Sequence, residues 1–167
     1  MSAAMIDLLL LALGETILMV AASALFSALL GIPLGVALHV TKAGQILAQP
    51  KLQRLLGTLV NIGRSVPFII LLVAIIPFTR WITGTSIGTW AAVVPLTVAV
   101  APFIARLVET ALREVDAGLI EAAQSMGATT SQIVCKVLLP EAMPGIVAAL
   151  TISLVSLTGY SAMAGAV

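Results

Sequence analysis

Four long apolar runs dominate the 167-residue chain, and the polar positions fall between them rather than alternating with them. A bilayer-spanning helix needs about 20 consecutive, mostly apolar residues. The run from Ile17 to Val40 meets that length without a formal charge, and Met5 to Leu13 read as a short interfacial lead-in. Val66 to Phe78 is too short alone. Extended back through 58–63 it reaches spanning length, with Arg64 near its inner end, where a long basic side chain can reach the head groups. The third run is Ser86 to Ala105, and the fourth extends from about Met143 to Met163. The pattern predicts an all-α, polytopic membrane protein with four transmembrane helices.

The connection between the third and fourth runs, about 106–140, has a different texture. Asp116 is placed to cap a short helix running through Leu119, Glu121 and Ala123 to Met126. Gly127 suits the left-handed residue that ends such a helix. Thr129 followed by Gln132 three positions later fits a capping box for a second helix. Ile133, Val134, Val137 and Leu138 share one face of that helix, and Pro140 is expected to stop it. Two short helices joined at a Gly-Ala elbow result. Periodicity alone leaves two readings open: a loop packed on its own spans, or an amphipathic element pressed into a partner's groove.

Composition supports the membrane reading. The chain is 60% hydrophobic and 9% charged, against roughly 25% charged in soluble domains. A net charge of +1 gives no reason to expect nucleic acid as a partner, whereas lipid is expected along the spans. Cys135 is the only cysteine, so no internal disulfide can form. The first 20 residues lack a positive n-region, and their charges are Asp7 and Glu15, so no cleaved signal is expected. Lys42, Lys51, Arg54 and Arg64 lie in or beside the first connection, and Arg106, Arg113 and Lys136 in the third. The second connection has only Arg80. The positive-inside tendency then places the first and third connections in the cytoplasm and the N-terminus outside.

Candidate chemistry is sparse. No GxxxxGK[ST] occurs, so phosphate gripping by a P-loop is not available to this chain, and no catalytic, cofactor-binding or metal-binding set stands out. His39, the only histidine, falls at the inner end of the first span and is expected to be satisfied by water. Gly31 and Gly35 have the spacing that lets membrane helices approach closely, with packing inside the monomer as the expectation. Pro33, Pro67, Pro77, Pro95 and Pro102 can bend spans. Arg106, Glu109 and Arg113 form a charged stripe expected to be a solvated helix face.

Glu121-Ala122-Ala123, three residues, Gly127, nine residues, then Val137-Leu138-Leu139-Pro140 resembles the EAA loop of ABC-importer permeases. In that family the loop forms coupling helices that sit in a cleft of the ATP-hydrolysing subunit. The resemblance implies that Glu121, Ala122, Ala123 and Gly127 form the contact and elbow, and that Leu139 and Pro140 close the second helix. The segments around 61–80, 84–109 and 118–145, with the final 156–167, are similar to the methionine-import branch, which implies uptake of D- and L-methionine into the cell across the inner membrane. It further implies a homodimer of permeases, a separate ATPase that binds ATP and Mg, and an extracytoplasmic substrate-binding protein. Tyr160, Ser161 and Met163 would by resemblance face the translocation path. Permeases of this branch continue into a fifth span, so 1–167 is expected to be a single permease domain lacking its C-terminal span.

The competing reading is an ion-coupled secondary transporter or channel subunit. Such carriers keep ionisable residues inside the membrane to do the coupling. The centres of all four apolar runs lack Asp, Glu, Lys and Arg. That pattern favours a pore driven from outside itself.

Overall fold

The computed structural model describes residues 3–165. The first apolar run and its lead-in are one helix, α1 (Ala3–Val40), rather than two elements. Its 38 residues correspond to about 57 Å at 1.5 Å per residue, well beyond the ~30 Å hydrocarbon core. Such a helix must tilt or project.

The second run is not one continuous helix. It folds as α2 (Pro50–Ser65) and α3 (Phe68–Ala74), whose axes bend by 102° at the intervening residues. Val66 is extended there, at φ −87° and ψ 124°. The ring of Pro67 disfavours helical angles at the residue before it, and Pro67 offers no N–H to continue the ladder. A one-residue interruption at Ile75 leads to α4 (Ile76–Thr83), which ends on Gly84. Pro33 lies inside α1, and Pro95 and Pro102 inside α5 (Thr89–Arg113), without breaking either helix.

Helix α5 is the centre of the fold and packs against α1, α2, α3, α4 and the last span, α9 (Met143–Ala164). Leu96, Val100, Ile104, Val108 and Leu112 recur every fourth residue along α5 and are all buried. Opposite them on α1 stand Gly31 and Gly35. A Cβ on Gly31 would lie 2.7 Å from Ile104 Cβ, and one on Gly35 would lie 2.6 Å from the Ala105 carbonyl oxygen. The two backbones can approach this closely only because both positions lack a side chain. The glycine pair therefore packs inside the monomer, as its spacing suggests.

Among the described residues three helices are long and apolar enough to cross a membrane, and four spans result if the bent pair is one. Large apolar side chains remain exposed along α1 (Leu8 to Leu13, Ile17) and α9 (Val147, Ile152, Val155). Water would penalise such faces, whereas lipid or another apolar helix covers them without cost.

Candidate functional site

The 106–140 connection leaves the end of α5 and folds back beneath the spans. Only Glu114, Val115 and Asp116 separate α5 from α6 (Ala117–Ser125). Asp116 caps α6: its Oδ1 accepts from the Gly118 amide at 2.6 Å. At the other end Gly127 adopts φ +78°. The Ala128 amide donates to the Ala123 carbonyl at 3.1 Å and the Gly127 amide to Gln124 at 2.9 Å. This pair of bonds is a Schellman ending, and both Ala123 and Ala128 belong to the apolar packing around it. No atom lies within 4 Å of where a Gly127 Cβ would project, so the backbone angle, not space, demands glycine.

The second helix, α7 (Thr130–Ile133), starts on the capping box expected from sequence. Gln132 Oε1 accepts from the Thr129 amide at 2.8 Å, and the Thr129 hydroxyl accepts from the Gln132 amide. Pro140 does not stop this helix. Val134–Leu138 form a wide π turn, in which the Leu139 amide donates to Val134 five residues back. The chain then passes through α8 (Leu139–Glu141) and a single residue, Ala142, into α9. Widening the turn gives the proline ring room against the preceding carbonyls, and the missing N–H falls in the first turn of α8.

Burial sorts the EAA residues into two sets. Ala123 is buried in the core, whereas Glu121, Ala122 and Gly127 are exposed. Leu139 is half-buried and Pro140 exposed. Leu119, Ala122 and Met126 follow one another at i, i+3 and i+7 on the outward side of α6, with Leu119 43% and Met126 82% exposed. They form an apolar ridge that the EAA spacing alone did not single out. The signal was present in sequence as the flanking Leu–Met pair at helical spacing.

The charged stripe on α5 is not a solvated face. Glu109 is 2% exposed and accepts from both Arg106 and Arg113, the latter at 3.0 Å. Arg106 also donates to Asn61 Oδ1 of α2 at 2.6 Å. Two guanidinium groups thus face the buried Glu109 carboxylate, and one of them reaches on to α2. His39, at the end of α1, is buried as well. It is 3% exposed, and its Nε2 has no hydrogen-bond partner among the described residues. The 41–49 loop folds back over the end of α1, with the Leu47 amide donating to Val40 and the Gln49 amide to Thr41. His39, Gln45, Arg113, Glu121 and Gln124 line a cavity of about 350 Å³ between this loop and α6.

The last three candidates differ in their surroundings. Tyr160 is half-buried and stacks on Phe68 of α3 at 4.8 Å between ring centroids. Ser161 is buried and donates to the Thr158 carbonyl, while Met163 is exposed. Among the described residues no group of three or more His, Cys, Asp or Glu could hold a metal ion.

Comparison with known proteins fits this geometry. Residues 31–167 match the family described as the binding-protein-dependent transport system inner membrane component. The D-methionine transport system permease protein MetI of Escherichia coli K12 is 60% identical over 165 residues, covering 99% of this chain and 76% of the relative. The Haemophilus influenzae protein described as a probable MetI is 49% identical over 151 residues, covering 90% and 71%. An inward-facing structure of the MetNI methionine ABC transporter superposes with a TM-score of 0.97 at 60% identity, covering 99% of this chain and 77% of that one. An amino acid ABC transporter at 20% identity and a TM-score of 0.67 shares the fold. The chain thus belongs to the inner-membrane components of binding-protein-dependent transport systems, and within them it is homologous to the methionine-uptake permease MetI.

Proposed function

We propose that this chain is the membrane-spanning subunit of an ATP-driven importer for D- and L-methionine. The substrate assignment rests on the 60% identity to MetI. The observation that carries the coupling role is the outward ridge Leu119, Ala122 and Met126, held on a helix capped at both ends. A rigid, partly apolar helix face at the end of the bundle is what a partner's groove can grip. Residues 106–140 are then the coupling segment, with Glu121, Ala122 and Met126 at the contact, Gly127 as the elbow, and Leu139 and Pro140 at the join to α9.

The partners follow from this reading. Two copies pair about a two-fold axis. Each carries one ATP-binding subunit, which holds ATP and Mg, and a substrate-binding protein delivers methionine from outside. The basic connections place the coupling segment in the cytoplasm of the inner membrane and the N-terminus on the other side. Closure of the ATPases moves the two permeases as near-rigid bodies. The permease itself forms and breaks no covalent bond. Tyr160, Ser161 and Met163 remain candidates for the path, with Met163 the exposed one.

The test is reconstitution of the permease with and without its ATPase in vesicles. Methionine uptake should require both the ATPase and ATP. Uptake driven by an ion gradient alone would instead establish the secondary-transporter reading. Met126→Asp puts a charge on the ridge at no cost to the core, and should abolish co-purification of the ATPase while the permease remains folded.

A further inference from the structure

We infer that Glu109 is a positioning residue for coupling: through Arg106 and Arg113 it locks the foot of α5 to α2, so that displacement of α6 moves both helices together. This rests on the assignment of α6 as the docking helix.

Glu109 is as buried as the apolar core around it, yet it is charged and lies one helical turn from an arginine on each side. A structural role on α5 alone would be met more cheaply by an apolar residue of similar size, since buried ion pairs seldom add net stability. What the ion pairs supply that a leucine would not is direction. Arg106 has its second anchor on Asn61, so the network crosses from α5 to α2. Arg113, on the other side, lines the cavity beneath α6 together with Glu121 and Gln124. Only three residues then join Arg113 to α6.

The cluster therefore sits where two levers meet. On one side is the docking helix. On the other is α2, which carries the 102° bend into α3. The other contacts between α5 and α2 are face contacts, namely Val60 and Ala105 packed with Leu38 of α1, Gly63 against Pro102, and the Arg64 guanidinium over the Phe103 ring at 5.9 Å, and such contacts can slide. Bonds to a fixed fork of donors cannot slide without breaking. Glu109 thereby fixes the orientation of both arginines, and with it the angle between α2 and α5.

The experiment uses the complete transporter, permease and ATPase, in vesicles. It reads ATP hydrolysis, methionine uptake and ATPase co-purification in parallel. Glu109→Gln keeps the shape and removes the charge. Asn61→Ala cuts only the tie to α2, at an exposed position, and serves if Glu109→Gln fails to fold. Uptake per ATP hydrolysed should fall roughly three- to tenfold in both, with hydrolysis and co-purification retained, as expected when an intervening network is cut. Glu109→Asp should recover part of the ratio. A purely structural role would lower uptake and hydrolysis together and leave their ratio intact. An unchanged ratio in both variants, or in Asn61→Ala alone when the other does not fold, overturns the inference. If the wild-type complex shows no ATP-dependent uptake, it is the docking assignment that fails instead.

Discussion

At Gly127 one backbone angle decides where α6 ends and α7 begins. A φ of +78° costs an L-residue about 1–2 kcal/mol, and a β-branched one more. Gly127→Val should therefore reorient the elbow while leaving open space around it unfilled. ATP hydrolysis should persist and methionine uptake fall, and Gly127→Asn should be milder, because asparagine tolerates this region. Uptake per ATP in vesicles checks both. Gly127, Asp116, Thr129 and Gln132 were all legible from sequence, because each acts on amides within a few residues of itself. His39 and Glu109 were not. Their burial depends on how the rest of the chain packs around the ends of α1 and α5, and no local pattern reports how distant segments fold over a polar side chain.

Among the helices, the sequence identified apolar stretches well and their bends poorly. Hydropathy sums over a window and is blind to direction, so 58–78 read as one span although Pro67 turns the chain by 102°. The five span prolines also looked alike in sequence. Pro33, Pro95 and Pro102 remain within helices because neighbouring helices hold those spans on course, whereas Val66 takes up extended angles ahead of Pro67. Pro67→Ala restores an amide and frees Val66 to become helical. Spin labels at the exposed positions Arg54 and Val73, with Cys135 replaced by serine, should then show a distance distribution broadened toward longer separations. The stack of Phe68 on Tyr160 opposes full straightening, so the bent population should persist alongside the new one. Pro140 misled in the opposite sense, since a wide turn let the helix run past it.

For the molecule as a whole, the orientation proposed from the placement of charge has a direct test. Cys135 is the only cysteine and lies exposed on the wide turn. A membrane-impermeant maleimide should label it in inside-out vesicles and leave it untouched in intact spheroplasts, and bound ATPase should slow the reaction. The composition that made this a membrane protein was evident before any fold was known, and so was the separation of greasy spans from one polar connection. The tie between α2 and α5 was not, because residues 61 and 106 are brought together only by the finished bundle. The path from Thr130 to Ala164 has a mechanical consequence of its own. With only the wide turn, α8 and Ala142 between α7 and α9, no loop interrupts it. On the proposed reading, a push received near Thr130 reaches α9 through continuous helical turns rather than through a slack loop, and Gly127 is the one sharp joint between α6 and that path.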